Sequence, residues 1–268
     1  MKTKYILLAA AVFLLSSTIF ATGRSADELA ALAISDNSSV SASAISELRT
    51  MGIAGLDALF VKYAADIDRF AKSGDADTNW RRIANALDTV GMQKDAYTSH
   101  LYWYTDLDKA LEAAKKEHKP VLTLRLLGNL NEEFSCANSR LFRATLYSNA
   151  DISKYLRENY ILHWKSVRPA PRITIDFGDG RKIERTITGN SIHYILDSNG
   201  NIIDALPGLY TPAIFLKYVA AAGEINKTVQ TLPVKNQTLA LMKYRKENFD
   251  RIVAARNKIV ETTGGKTN

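Results

Sequence analysis

Hydrophobic positions change their period along this chain, and each change predicts a different element. Between residues 26 and 92 they recur at steps of three and four, the signature of helices with one buried face. Leu56, Leu59, Phe60, Tyr63, Ile67 and Phe70 share such a face, and Gly74 follows as a stop. Trp80, Ile83, Leu87 and Val90 repeat the pattern after the capping cluster Asp77-Thr78-Asn79, and Gly91 ends it. With Ser46 to Met51 before Gly52, these runs predict a small antiparallel helical bundle.

The character changes at Leu101-Tyr-Trp-Tyr104, a short strand or an aromatic anchor. Thr105 and Asp108 form a capping box for a helix that turns Leu107, Ala110, Leu111 and Ala114 inward. Pro120 opens the near-continuous apolar run Val121 to Leu127, which predicts a strand covered on both faces and is interrupted by Arg125. A polar loop, a helix starting near Cys136, a helix capped by Asn149 and a strand from Tyr160 to Val167 follow. Residues 172 to 177 and 182 to 187 then alternate with period two across Gly178-Asp-Gly180, a hairpin signal. Ser191 to Leu196 and Asn201 to Ala205 predict a second hairpin. Thr211 and Pro212 open a helix with Ile214, Phe215, Tyr218 and Val219 inside, and residues 235 to 261 form a long charged helix.

Composition narrows the class. The chain has 268 residues, of which 46% are hydrophobic and 24% charged, which suits a buried core and excludes a disordered or collagen-like chain. The formal charge of +7 is spread along the sequence, without the dense basic block of a nucleic-acid arm. Cys136 is the single cysteine, which excludes an internal disulfide, a cysteine zinc site and a two-cysteine redox centre. At the start, Lys2 and Lys4 precede the apolar run Ile6 to Leu15, and Ser16, Ser17, Thr18 and Ala21 follow. This is the pattern of a secretory signal cleaved after Ala21, or after Gly23 as second choice, and it predicts a periplasmic or secreted protein without a membrane partner. Asp197 to Asn201 has the look of a calcium loop but lacks the acidic twelfth ligand, position 208 being glycine. It is read as a turn, and no metal or cofactor is called for.

The residues from Asp106-Leu-Asp-Lys-Ala through Lys119-Pro-Val-Leu122 resemble the opening of many secreted thioredoxin-like proteins. Tyr155-Leu-Arg-Glu-Asn-Tyr-Ile161 is similar to their helix into the second strand, and Tyr194-Ile-Leu-Asp-Ser-Asn-Gly200 with Leu206-Pro-Gly208 to their closing hairpin. The resemblance covers roughly residues 100 to 222. It implies a thioredoxin-like mixed sheet flanked by helices, here with an extra hairpin, an N-terminal helical segment over 22–97 and a C-terminal helical extension over 225–268. It also implies a nucleophilic cysteine at a helix start, and Cys136-Ala-Asn-Ser139 matches that position while Ser139 stands where the resolving cysteine belongs. The place of the family's cis-proline falls on Ser191, the loop before Cys136 is longer than usual, and the hairpin at 172–188 replaces a helix. These departures imply that the chain is not an ordinary dithiol reductase.

Two functions stay open. In one, Cys136 forms mixed disulfides with a client protein or small thiol and an external thiol resolves them, helped by the helix N-terminus, Ser139, Ser191, a base or cation in His193, and Arg125 as a thiolate or anion partner. In the other, Cys136 is a small buried core residue of a non-catalytic module that binds a protein or peptide. Under that view His193 is an ordinary strand histidine and Arg125 pairs with Glu132 or Glu133, because a buried guanidinium needs a carboxylate.

Overall fold

A computed structural model describes residues 23–264, so the leader expected over Met1 to Ala21 lies outside the described residues. The expected bundle is present as α1 (Ala26–Leu32), α2 (Ser38–Thr50), α3 (Ile53–Lys62), α4 (Ala64–Ser73) and α5 (Thr78–Gly91). Leu48, Leu56, Leu59, Ile83, Leu87 and Val90 are fully buried at its centre. The single helical face expected from Leu56 to Phe70 is interrupted, because the backbone breaks at Tyr63 (φ −107°, ψ 20°), which ends α3 and starts α4. Gly74, at φ 70°, stops α4 as expected. α5 ends at Gly91 as expected, but its left-handed cap is Met92 at φ 53° and not the glycine. Gly91 serves close packing instead, since a Cβ there would sit 3.1 Å from both Ala96 Cβ and Leu101 O.

The remainder is mixed α/β. Strands β1 (Trp103–Tyr104), β2 (Val121–Leu127), β3 (Ile161–Arg168), β6 (Ser191–Leu196) and β7 (Ile202–Pro207) form one sheet in the order β1-β3-β2-β6-β7. β1 and β2 run parallel to β3, whereas β6 is antiparallel to β2 and to β7. The helix α6 (Leu107–Glu117) is capped by Asp106, whose side chain accepts from the amides of Asp108 and Lys109, and not by the expected Thr105–Asp108 box. It covers the face that carries Val121, Ile161 and Leu196. The other face carries Leu122, Leu124, Leu126, Leu162, Trp164 and Ile195, packed under Phe142, Leu146, Tyr147, α8 (Ala150–Asn159) and α9 (Pro212–Thr231). In α9, Phe215 and Val219 are buried as expected, while Ile214 points to solvent.

The helical bundle is bolted to the β1 edge by directional bonds. The Arg49 guanidinium donates to Val90 O at 2.7 Å and Trp103 O at 2.5 Å, and Trp164 Nε1 donates to Met92 O at 2.7 Å. The hairpin β4 (Arg172–Asp176) and β5 (Lys182–Thr186) pairs only with itself and stands off the main sheet. The final helix α10 (Val234–Thr262) touches the body through Tyr244 and Arg245, which bond to Asp204 and to Ile203 O. Met242, Phe249, Ile252 and Ile259 on this helix are exposed. Among the described residues no helix is long and apolar enough to cross a membrane.

Candidate functional site

The site grows from the end of β2. Gly128, at φ 71°, turns the chain off the strand, and the loop returns so that Cys136 N–H donates to Leu127 O at 3.1 Å. Cys136 is then extended (φ −64°, ψ 160°) and acts as the N-cap residue of α7 (Ala137–Leu141), which continues as a π-helical turn over Phe142–Tyr147. The Ser139 hydroxyl donates to Cys136 O at 2.9 Å and faces Sγ at 3.5 Å. Sγ in turn faces Asn190 O at 3.7 Å.

The segment that links β5 to β6 is laid over this helix start. Ala137 N–H donates to Thr188 O at 3.0 Å, and Thr186 Oγ1 donates to Ser135 O at 2.8 Å. Asn138 Nδ2 donates to Ser191 Oγ at 3.0 Å. Gly189 permits the approach: a Cβ there would lie 2.2 Å from Asn138 Oδ1, so only glycine fits without displacing Asn138. Cys136 and Ser139 are consequently 0% exposed. Burial pushes the thiol up, but hydrogen bonds with Ser139, Asn190 and Leu127 outweigh it and leave the thiol below its ordinary value. Acidity is therefore supplied where access is denied, and a reactive cysteine needs both.

The five residues singled out from sequence are not one constellation. Cys136, Ser139 and Ser191 come together, with Ser191 reached through Asn138 and its neighbour Asn190. The peptide bonds of the described residues are all trans. His193 does not reach the sulfur: its Nε2 bonds the Tyr147 hydroxyl at 2.7 Å, and Phe142 and Phe215 flank its ring. Burial drives His193 down to about 3, so near neutral pH it is an uncharged ring, in keeping with the reading of it as an ordinary strand histidine and not with that of a cation beside the sulfur. Its Nδ1 has no partner. Tyr147 is itself pushed well above its ordinary value by burial and by the nearby Cys136.

Arg125 lies on the opposite face. Strand alternation puts Leu124 and Leu126 on the Cys136 side and Arg125 beside Thr123 and His163. Of the expected partners, Glu132 instead accepts from Asn129 at 2.7 Å. His163 bonds Thr123 Oγ1 at 2.6 Å, and burial together with the charges of Arg125 and Lys165 lowers it to about 4.

Sequence reasoning missed Asn138, Tyr147 and Arg143. Tyr147 follows Ser139 by two helical turns, a spacing that a regular helix would have put on the same face, but nothing local announces the π-helical turn between them. Arg143 is buried with Asp95 Oδ2 as its nearest carboxylate at 3.6 Å, a contact between segments far apart in sequence. Compared with known proteins, the chain matches no family model and no curated protein.

Proposed function

We propose that this chain is an exported, non-catalytic α/β module of thioredoxin-like layout that binds a protein or peptide, with Cys136 as a packed core residue. The observation that carries this reading is the closure of the Cys136 helix start. The sulfur has no exposed surface, and the amides of Cys136 and Ala137, which would otherwise stabilise a thiolate, already serve Leu127 O and Thr188 O. Attack on a disulfide needs a free line of approach to Sγ, so the 186–190 segment would have to lift first. The succession α6, β2, Cys136 at a helix start, α8, β3, the β6–β7 hairpin and α9 supports the layout. The Lys2, Lys4 and Ile6–Leu15 pattern supports export.

One observation favours the competing monothiol reading, namely the hydrogen bonds that lower the Cys136 thiol. The Ser139 proton, however, is committed to Cys136 O at 2.9 Å, and turning it toward a thiolate would forfeit that bond. The two readings separate on the rate of iodoacetamide alkylation against pH, measured on folded protein and on a denatured control. The binding-module reading expects labelling only after unfolding. Rapid labelling of folded protein, with a midpoint near or below about pH 7, would refute it and establish a reactive thiol.

A further inference from the structure

The ribbon formed by β4 and β5 is the part of the molecule least used by its own fold. Of its strand residues only Thr186 is buried. Its register sorts the side chains by chemistry. Ile175 faces Ile183 and Ile173 faces Arg185, and the ladder continues at both ends through the Phe177 N–H to Arg181 O and Ile187 N–H to Pro171 O bonds. One face thus carries Ile173, Ile175, Phe177, Ile183 and Ile187 together with Arg181 and Arg185. The carboxylates Asp176 and Glu184 fall on the other face. The five apolar side chains are between 36% and 58% exposed. The ribbon, residues 172–187, holds four basic and three acidic side chains; Lys182 is paired with Asp176 and Arg181 with Asp179, which leaves Arg172 and Arg185 without an acidic partner among the described residues.

Three kinds of occupant could cover such a face, and elementary physics separates them. A second copy would bring Arg181 and Arg185 of one apolar face against those of the other, and like charges opposite each other across strands are destabilising. A lipid surface would cover the isoleucines but leave the outer N–H and C=O groups of both strands without partners, which apolar lipid does not tolerate. An added strand satisfies an edge and extends the apolar face at once, and a two-stranded ribbon alone is marginal in water. We infer that the ribbon is the docking site for an extended segment of a partner protein, which adds to one edge as a third strand. On the shared face this segment presents apolar side chains beside Ile183 and Ile187 and acidic ones beside Arg181 and Arg185. The inference deepens the binding role proposed above, yet it does not involve the Cys136 sulfur.

The test is fluorescence anisotropy of a labelled octapeptide of alternating valine and glutamate, and of its lysine counterpart, titrated with the full chain. The glutamate peptide should bind saturably and the lysine peptide should not. Ile175→Asp with Ile183→Asp should weaken binding by about tenfold or more, the loss expected when an apolar strand contact is replaced by charge. Arg181→Glu with Arg185→Glu should transfer the preference to the lysine peptide. All four sites are exposed, and far-ultraviolet circular dichroism checks that each variant is folded. Absence of binding by both peptides up to about 1 mM, an affinity too weak for specific docking, would overturn the inference, as would a preference that ignores the arginine reversal. Sedimentation with vesicles of equal phosphatidylcholine and phosphatidylglycerol, lost on the same isoleucine changes and without peptide binding, would also overturn it and give the face to lipid. Thiol labelling of the same samples reports separately on the reading of Cys136.

Discussion

Two neutral histidines inside the sheet make this protein acid-labile, by an amount that follows from their surroundings. His193 and His163 are both 0% exposed, with folded-state values of about 3 and about 4. An unfolded histidine titrates near 6.5, so between about pH 6.5 and each folded value the unfolded chain binds a proton that the native chain refuses. The sign is therefore fixed: stability is full above about pH 7 and falls as the pH falls. At pH 5 each histidine removes about 2 kcal/mol relative to pH 8, about 4 kcal/mol together, a large share of a stability of about 5 to 15 kcal/mol. Urea unfolding followed by tryptophan fluorescence at pH 8, 6.5 and 5 measures this directly, with the midpoint moving down by about 1 to 2 M overall. Most carboxylates remain ionised across that range, which leaves the histidines to dominate it. His193→Gln, whatever its absolute stability, should remove about 2 kcal/mol of the slope. A midpoint that does not move between pH 8 and 5, or a slope indifferent to His193→Gln, would refute the reasoning.

Three further variants test the packing that closes the site, builds the helical segment and joins it to the sheet. Gly189→Ala drives a methyl group to 2.2 Å from Asn138 Oδ1, and should cost about 1 to 3 kcal/mol in urea unfolding; adding Asn138→Ala should recover part of the loss. The same Gly189→Ala protein should also label faster at Cys136 while still folded, because the strap over the helix start is pushed off, and an unchanged rate would mean that the strap is not the barrier. Gly55→Ala puts a Cβ 2.0 Å from Leu48 O, a backbone atom that cannot swing aside, so a loss of about 3 kcal/mol or more, or failure of the helical segment to fold, is expected by circular dichroism. Arg49→Met removes the donor shared by Val90 O and Trp103 O; it should lower stability by about 2 to 4 kcal/mol and speed amide exchange in β1 beyond its effect elsewhere.

The fold was legible wherever one element's pattern sufficed. The run Val121 to Leu127 was delimited to the residue, because a strand covered on both faces is apolar at both ends and Pro120 and Gly128 bound it. The β4–β5 hairpin was equally clear from its alternation and its Gly178-Asp-Gly180 turn. The errors fell at boundaries decided by neighbours. The break at Tyr63 and the left-handed cap at Met92, one residue past the glycine, depend on how α3 and α5 meet other segments, which periodicity within one helix does not encode.

The site divides along the same line. By itself the sequence determined that Cys136 has no resolving partner, that it sits at a helix start after a buried strand, and that Ser139 lies one turn on, all consequences of local spacing and of a count. Only the tertiary structure decided that the sulfur is sealed by the 186–190 segment, that Arg125 looks out of the opposite face, and that His193 answers to Tyr147. Those outcomes turn on which strand lies beside which and on which atoms a returning loop can reach, and a buried group's charge and access are properties of all its neighbours together.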